Sequence, residues 1–265
     1  MGVLNVTPDS FSDGGAFVQT AVAVERGLEM EAEGAAVLDV GGESTRPGAT
    51  PVSADEELGR VIPVIEELRR HSSIPLSVDT SKSQVARAAL AAGANFVNDI
   101  SGLTFDVDMA KVVATAGAGL FVMHTRGRPE MMQQNTEYHD LPAEVFDFLQ
   151  AGIHRAQAAG ISKDRLAVDP GIGFAKSVHG NLELMHHLAL LHQLGCPVLL
   201  GTSRKSFIGK ILQQDDPCRR LYGTLATIAL GVAQRVQMFR VHDVRPAREA
   251  ALVAWAIREQ CLPPG

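Results

Sequence analysis

Eight short apolar runs alternate with longer amphipathic segments, and this alternation restricts the chain to a few folds. The intervening segments place apolar residues on one helix face, as Leu58, Val61, Ile65 and Leu68 do in the second of them. Short buried strands that alternate with such helices are typical of an α/β protein with a parallel sheet. The predicted strands lie at residues 2–6, 36–40, 75–79, 95–99, 119–124, 165–169, 197–202 and 238–242.

The number of units favours a closed barrel. Eight strand–helix units without a break of domain size predict a (β/α)8 TIM barrel, with a doubly wound sheet as the alternative. With 265 residues and 46% hydrophobic content, the chain can bury one large core, so a single domain over residues 1–265 is expected. Because the first strand begins almost at residue 1, we expect little or no N-terminal cap segment.

Local turn and cap signals support these units. Ser53 to Glu56 and Ser81 to Gln84 have the form of capping boxes that begin helices. Pro63 falls inside the second helical pattern and predicts a kink there or a position near its first turns. Glycines in a left-handed conformation are expected to end five helical patterns, at Gly34, Gly93, Gly117, Gly160 and Gly195.

Charge and composition exclude several classes of function. The formal charge of −6 and pI near 5.8 leave no basic surface for nucleic acid. No apolar run is long enough to span a bilayer and no signal-type segment begins the chain, so a cytoplasmic protein is expected. Cys196, Cys218 and Cys261 lie far apart without metal-ligand spacing and are predicted to be reduced thiols.

Polar side chains stand at the carboxyl end of every predicted strand. In a barrel these positions surround one face, where the active sites of this fold are found. A single carboxylate there could be a helix cap, and a single histidine could belong to the core, but eight polar ends together predict a polar pocket. These residues are Asn5, Asp39, Asp79, Asn98, His124, Asp169, then Ser203 to Lys205, and Arg240 with His242.

Two chemical characters are combined in this pocket. Carboxylate and amide oxygens of Asp79, Asn98 and Asp169 suit a flat heterocycle with an edge rich in N–H donors. A second set, of cationic and imidazole side chains, has the opposite character and suits a polyanion such as diphosphate. Its members are Arg46, Lys205, Arg240 and His242.

Two predicted rim loops, at residues 7–19 and 41–52, are rich in Gly, Ser and Pro. Loops of this length in a compact domain are more often lids or binding loops than plain connectors. We expect them to close over substrate and exclude water. The amide of Asn5 lies at the start of the first loop, where its oxygen would share Mg²⁺ with phosphate oxygens.

The loops and strand ends carry motifs that resemble the dihydropteroate synthases, a family of pterin-binding enzymes. The two segments that begin at Asn5 and Asp39 resemble the family's signature segments. The motifs occur in the family's order and extend from Met1 to about Asp243. They lie at residues 5–15, 39–48, 77–82, 98–100, 169–174, 203–206 and 240–243.

The resemblance implies a transferase of folate biosynthesis, usually homodimeric, with Mg²⁺ as cofactor. It would join 6-hydroxymethyl-7,8-dihydropterin diphosphate to p-aminobenzoate, releasing diphosphate and 7,8-dihydropteroate. The implied pterin contacts are Asp79, Asn98, Asp169, Lys205 and Arg240. The implied diphosphate contacts are Asn5 through Mg²⁺, Thr45, Arg240 and His242. The implied p-aminobenzoate contacts, where sulfonamides would compete, are Phe11, Thr45, Arg46, Pro47, Ser203 and Lys205.

The implied chemistry is dissociative substitution. Cleavage of the C–O bond leaves a pterin-methyl cation and a departing diphosphate, whose negative charge Arg240 and His242 would stabilise together with Mg²⁺. Asp79 and Lys205 complete the implied catalytic set. The arylamine is a weak base that needs little deprotonation, so no obligate general base is assigned. We expect the loops to assemble the arylamine site after diphosphate has bound.

Three other functions stay open at this point. A pterin-dependent corrinoid methyltransferase domain would share the barrel and the pterin-facing residues, but it would not need the group at residues 203–205. A non-catalytic pterin-binding protein would not need Asn5, Arg240 and His242 as leaving-group stabilisers. A barrel aldolase would use Lys205 as a Schiff-base amine, although this lysine follows its strand instead of lying within it.

Overall fold

A computed structural model of the protein describes residues 1–7, 16–45 and 48–263, with side chains in the second range from residue 19 onward. Within these ranges the chain forms eight strands. They are β1 (Gly2–Asn5), β2 (Leu38–Gly41), β3 (Leu76–Asp79), β4 (Phe96–Asp99), β5 (Gly119–Met123), β6 (Leu166–Asp169), β7 (Leu199–Leu200) and β8 (Met238–Phe239).

Helices follow the strands in order, and the unit after β7 contains two of them. Among the described residues the α-helices are α1 (Ala16–Ala32), α2 (Ala54–His71), α3 (Ser83–Ala91), α4 (Met109–Ala116), α5 (Leu141–Ala158), α6 (Val178–His186), α7 (Ser206–Leu212), α8 (Leu221–Ala233) and α9 (Val244–Glu259). No helix in this part of the chain is both long and apolar enough to cross a bilayer.

The strands close into a parallel barrel. Strands β1 to β6 form one sheet in chain order, and β7 pairs with β8. Bridges join the two sheets on both sides, from Val168 to Val198 and from Gly2 to Val241. At the second junction Val3 N–H donates to the carbonyl of Val241 at 2.9 Å. This closure confirms the (β/α)8 barrel and is not found in a doubly wound sheet, whose edge strands stay unpaired.

Two apolar layers result from the alternation of side chains along each strand. Outward residues such as Leu4, Val40 and Val78 pack against the surrounding helices in the main core cluster. Inward residues form a separate cluster of Phe121, Ala167 and Leu199, against which three partly buried side chains pack. These three are Met1, Phe96 and Met238. The inner cluster fills the barrel below its carboxyl end, so any pocket must lie above it.

All eight predicted strands are confirmed, but the last two are shorter than expected. The ladder between them has only two residue pairs, in which Leu199 faces Met238 and Leu200 faces Phe239. The amide of Val198 donates to the side-chain oxygen of Gln237 at 2.8 Å instead of to a strand carbonyl. After this short ladder, Arg240 N–H still donates to the Leu200 carbonyl oxygen at 3.0 Å and Val241 N–H donates to the Met1 carbonyl oxygen at 2.9 Å, which keeps the eighth unit in the barrel.

The predicted cap of α2 and the five predicted glycine conformations are confirmed, whereas the second capping box is not. Ser53 caps α2, with its hydroxyl oxygen accepting from Glu56 N–H at 3.2 Å, and Pro63 lies inside that helix. The five predicted glycines all have positive φ. The second capping box is wrong, because α3 begins at Ser83 and its amide donates to Asp106 Oδ2 at 2.7 Å. The three cysteines are free thiols, as predicted.

Candidate active site

Polar side chains from neighbouring strands lie at one level at the carboxyl end of the barrel. Strand register pairs Asn5 with Gly41, Gly41 with Asp79, and Asp79 with Asn98. A methyl group on Gly41 would lie 3.8 Å from both Asn5 Oδ1 and Asp79 Oδ2, so these two oxygens lie on either side of this glycine. The absence of a side chain at position 41 leaves the mouth of the barrel open between them.

Arg240 connects this level to a carboxylate one layer deeper. Its Nε donates to Asp39 Oδ2 and its Nη2 donates to Asp79 Oδ2, both at 2.6 Å. Asn98 Nδ2 also donates to Asp39 Oδ2, at 2.9 Å. Asp39 has no solvent-exposed surface, so it holds the guanidinium and the amide in fixed orientations.

Three acceptor oxygens in this cluster are buried without any hydrogen-bond partner among the described residues. They are Asp39 Oδ1, Asp79 Oδ1 and Asn98 Oδ1. Leaving a buried acceptor unpaired costs about 1–3 kcal/mol, so such atoms usually mark a place where something else binds. The cluster is therefore prepared for a ligand with several N–H donors at its edge.

Burial shifts the protonation of the carboxyl groups. It raises the pKa of Asp79 to about 7, although the neighbouring Arg240 acts in the opposite direction. Burial also raises the pKa of Asp169, against the effect of the Gly171 N–H, which donates to Asp169 Oδ1 at 2.7 Å. Both carboxylates are therefore costly to keep charged in the free protein, and a cationic or N–H-rich ligand would stabilise the charged forms.

Lys205 approaches the cluster from the seventh unit. Its Nζ lies 4.2 Å from the centre of the Phe174 ring, a cation–π contact. A methyl group on Gly173 would lie 3.1 Å from Lys205 Cδ, so this glycine makes room for the lysine stem. Burial, followed by the charge of Arg240, lowers the pKa of Lys205 to about 8.

Ser203 and His242 form a second group at the rim. The Ser203 hydroxyl oxygen lies 3.0 Å from His242 Nδ1 and accepts from the His242 backbone N–H at 3.2 Å. Since that oxygen already accepts one hydrogen bond, its proton is free to be donated to Nδ1, which leaves the ring proton on Nε2. Burial lowers the pKa of His242 to about 3, so the imidazole is neutral near pH 7.

The remaining predicted contacts are less completely described. Phe11, Arg46 and Pro47 lie outside the described residues. Thr45 lines a cleft between the loop after β2 and the loop after β5, together with Lys82 and Arg128. No hydrogen bond in the described part of the chain joins Thr45 to the diphosphate candidates, and its role stays a prediction.

Two residues that end strands lie outside the pocket. His124 is buried behind the barrel wall, where its ring packs edge-on against Phe148 at 4.8 Å. Arg204 has a positive φ of 59° and pairs with Asp243 through hydrogen bonds of 2.6 and 3.0 Å. These two polar strand ends therefore do not enter the pocket: His124 packs towards α5 through Phe148, and the backbone turn at Arg204 directs its side chain to Asp243.

Three polar features were not assigned from the sequence. Asp39 was counted among the polar strand ends but not among the site residues, although it anchors Arg240. Lys176 is a buried amine beside the β6 end, and nothing in its position along the chain signalled burial. Glu57 is a fully buried carboxylate inside α2, where a charged residue on a helix predicts exposure.

Comparisons with known proteins agree with this geometry. A family model described as pterin binding enzyme matches residues 1–242. A dihydropteroate synthase of Synechocystis is 48% identical, over 97% of this chain and 89% of that protein. A dihydropteroate synthase structure from Clostridium difficile, solved in the presence of pteroic acid, superposes with a TM-score of 0.92 at 45% identity and covers 97% of this chain and 95% of its own.

A dihydropteroate synthase from Xanthomonas albilineans, solved with 4-aminobenzoic acid, also has a TM-score of 0.92. It is 46% identical and covers 99% of this chain and 93% of its own. The matches extend through the barrel and include the strand ends that form the polar cluster. The chain therefore belongs to the pterin binding enzyme family and, within it, to the dihydropteroate synthases.

Proposed function

We propose that this site joins 6-hydroxymethyl-7,8-dihydropterin diphosphate to p-aminobenzoate and releases diphosphate. The observation that carries the proposal is the set of three buried acceptors without partners, on Asp39, Asp79 and Asn98. A reduced pterin presents a row of ring and amino N–H donors that would satisfy them. Family membership and the relatives solved with pteroic acid and 4-aminobenzoic acid support the same substrates.

The pterin would lie among Asp79, Asn98, Asp169, Lys205 and Arg240. The carboxylates of Asp79 and Asp169 would accept from the pterin and stabilise the cationic character that develops on it. Arg240 is held by two carboxylates, so its planar guanidinium is oriented before substrate arrives and can stack on the ring.

The diphosphate would lie between Arg240 and His242 at the rim. His242 is neutral, so it would donate a single hydrogen bond from Nε2–H, with Ser203 fixing that tautomer. Arg240 would supply the positive charge. A donor placed where negative charge develops on the leaving group commonly lowers the activation free energy by about 3–4 kcal/mol.

The cofactor Mg²⁺ is also a proposal. Among the described residues, no group of three or more His, Cys, Asp or Glu side chains is placed to hold a metal ion. Asn5 fits the ion's usual mode in such enzymes, in which one protein oxygen is combined with phosphate oxygens and water. Its side-chain oxygen lies at the mouth of the barrel, 3.8 Å from the position that a methyl group on Gly41 would occupy. The ion would neutralise charge on the diphosphate.

The arylamine would approach from the Ser203 side of the rim. Ser203 and Lys205 stand there, and the other predicted contacts are Thr45, Phe11, Arg46 and Pro47. The C–O bond to diphosphate would break first, and the nitrogen lone pair of the arylamine would then attack the pterin-methyl cation to form the C–N bond. The proton then released from nitrogen is lost to water or to the departing diphosphate. Exclusion of water by the predicted rim loops would protect the cation.

A direct assay tests this function. Purified protein with pterin diphosphate, p-aminobenzoate and Mg²⁺ should release diphosphate, and sulfonamides should inhibit competitively with p-aminobenzoate. Asp79→Ala should abolish turnover, while Asn5→Ala should raise the Mg²⁺ requirement and leave pteroic acid affinity nearly intact. Wild type that binds pteroic acid without any turnover would instead be a non-catalytic pterin-binding protein.

We further propose that the protein is a homodimer. Large apolar side chains are exposed on the paired helices α8 and α9, with Tyr222 at 83%, Leu230 at 58% and Ile257 at 74%. Val253 lies one turn before Ile257 and is 62% exposed, so α9 presents an apolar stripe. A second copy of this chain would cover it. The cytoplasmic location predicted from the sequence stays a prediction.

A further inference from the structure

Lys176 is a buried amine in the loop between β6 and α6, with 3% of its surface exposed. Its Nζ lies 2.9 Å from each of three atoms: His124 Nδ1, the carbonyl oxygen of Gly171 and the carbonyl oxygen of Phe174. An ammonium group has three N–H donors, and here each donor has one acceptor. This saturated arrangement is unusual for a lysine, which normally keeps its charged end in water.

The loop that Lys176 holds has an irregular backbone. Gly171, Gly173 and Ala175 have positive φ values of 67°, 84° and 51°. A methyl group on Gly171 would lie only 2.0 Å from the His124 carbonyl oxygen, so the backbone passes close to β5. A chain with this alternation of conformations cannot join a regular ladder, and its carbonyls need other donors. Lys176 supplies donors to two of them.

The same loop presents proposed pterin contacts to the pocket. Asp169 precedes the loop and accepts from the Gly171 N–H at 2.7 Å. Phe174 ends it and carries Lys205 over its ring. The loop geometry therefore sets the direction of the Asp169 carboxylate on one side and the position of the Lys205 amine on the other. A shift of Gly171 or Phe174 would move both.

His124 fixes the amine from the β5 side. Burial, with the nearby charge of Lys176, lowers the pKa of His124 to about 2, so the ring is neutral and Nδ1 can accept. Its orientation is set by the edge-on contact with Phe148 at 4.8 Å. The His124 backbone N–H also donates to the Asp169 carbonyl oxygen at 3.0 Å, which ties β5 and β6 at the same point.

We propose that Lys176 is a positioning residue for pterin binding, holding the loop at residues 170–175 in the shape that directs Asp169 and Lys205 into the pocket. Burial lowers the pKa of Lys176 to about 7, with Asp169 acting in the opposite direction, and the charged form of the amine favours the ionised carboxylate of Asp169. The inference rests on the proposed pterin site. Lys176 itself touches only protein groups and takes no part in bond making or breaking.

The test compares Lys176→Met with Val113→Ala by thermal unfolding, isothermal titration with pteroic acid, and steady-state kinetics. Lys176→Met removes the three donors at similar side-chain length. Val113 is fully buried in α4, away from the site, so Val113→Ala lowers stability without touching the loop. We expect Lys176→Met to weaken pteroic acid binding about tenfold and to raise the KM for pterin diphosphate, with the KM for p-aminobenzoate little changed.

Val113→Ala should lower the melting temperature and keep wild-type affinity, which separates positioning from general stability. His124→Phe removes one acceptor and should weaken binding in the same direction by a smaller factor, and it carries the test if Lys176→Met does not fold. Asp169→Asn keeps the inference distinct from the site assignment. If Asp169→Asn binds pteroic acid normally, the pterin site is wrong; if it binds weakly while Lys176→Met and His124→Phe bind as wild type does, the positioning role is wrong.

Discussion

At the scale of single residues, the pocket brings together groups whose charges are unstable in a buried position. Burial raises the pKa of Asp79 to about 7 and lowers the pKa of Lys205 to about 8. In the proposed pterin site, the carboxylate of Asp79 would act as an acceptor and the amine of Lys205 as a cation. The pH range in which both are charged is therefore narrow, and its alkaline side depends on the lysine.

The alkaline limit of this pH range gives a specific prediction. Lysine loses its charge as pH rises through its pKa, so kcat/KM for pterin diphosphate should fall above pH about 8 in wild type. Lys205→Arg keeps a positive charge at every accessible pH, so the part of this decline that Lys205 causes should disappear even if the overall rate is lower. The pKa of Lys176 is lowered to about 7, so any decline that Lys176 causes should be the same in both proteins. The measurement is kcat/KM between pH 6 and about 10.

The matched control is Lys210→Arg, because Lys210 is an exposed lysine in the last turn of α7. It should keep the wild-type profile. Ionisation of the substrate is the same in all three proteins and cancels in the comparison. An unchanged alkaline decline in Lys205→Arg would show that another group is responsible.

Two glycines with the same backbone strain offer a second prediction. Gly171 and Gly127 have φ values of 67° and 80°, which disfavour any L side chain. An added methyl at Gly171 would lie 2.0 Å from the His124 carbonyl oxygen, whereas at Gly127 no atom lies within 4 Å. Gly127→Ala should lower the free energy of unfolding by about 1 kcal/mol, and Gly171→Ala by about 3 kcal/mol or more.

Urea denaturation of both variants measures the difference, which isolates the close backbone contact from the cost of the left-handed conformation. Equal losses of unfolding free energy in the two variants would mean that the loop at Gly171 can move away from the His124 carbonyl oxygen without destabilising the protein. Pteroic acid affinity should also fall in Gly171→Ala, because the loop that bears Asp169 would move.

At the scale of elements, an ionic group fixes the base of the loop after β2. Lys82 Nζ lies 2.7 Å from Glu43 Oε2 and 2.5 Å from Glu57 Oε2. Glu43 Oε1 accepts from the Val52 N–H at 2.9 Å, which joins the two ends of the loop. Burial raises the pKa of Glu57, against the effect of Lys82. The loop is therefore anchored to α2 and α3 at its base.

Loss of the lysine should leave a buried carboxylate without its cation. Lys82→Met should lower the free energy of unfolding by about 3 kcal/mol, as expected when one partner of a buried ion pair is removed. The double variant Lys82→Met with Glu57→Leu should recover a large part of the loss, since no uncompensated charge remains. Chemical denaturation of the two single variants and the double variant gives the coupling energy.

Additive losses in this cycle would contradict the coupling between Lys82 and Glu57. Kinetics of Glu43→Gln provide a separate view of the loop. Because Glu43 ties the loop ends without touching the polar cluster, this variant should change the KM for p-aminobenzoate more than the KM for pterin diphosphate.

What the sequence could predict follows from how local each feature is. The cap of Ser53 depends on residues within one turn and was predicted, whereas the amide of Ser83 finds Asp106 more than twenty residues along the chain. Polar ends of strands could be read as a pocket, but the backbone turn that directs Arg204 to Asp243 could not. Lys176 and Glu57 are residues of a charged type that normally lies at the surface. Each has a partner far along the chain, His124 for Lys176 and Lys82 for Glu57, which local sequence patterns do not show.

At the scale of the whole molecule, the barrel encloses the site while one helical face stays apolar and exposed. The apolar stripe of α9 gives a prediction about assembly. Ile257→Asp, at a side chain that is 74% exposed, should convert a dimer to a monomer without loss of fold. Light scattering after size-exclusion chromatography measures the mass, and circular dichroism checks the fold.

Val107→Asp is the matched control, since Val107 is 94% exposed in the segment before α4. It should stay dimeric. A wild-type protein of monomeric mass at micromolar concentration would contradict the proposed assembly, and a dimer that persists in Ile257→Asp would place the interface elsewhere.

The inner apolar cluster below the pocket has a consequence for the order in which substrates bind and product leaves. Phe121 and Leu199 are almost completely buried there, and with Ala167 they block the barrel from below. Among the described residues, this cluster closes the lower end of the site, so substrates would reach it from the carboxyl end of the barrel. A molecule that binds at the deeper level must enter before a molecule that binds nearer the carboxyl end, because the outer molecule would block its path. For the same reason, the deeper molecule must leave after the outer one. The coupled product therefore has to leave through the same opening by which the next pterin enters. It should compete with that pterin for the free protein.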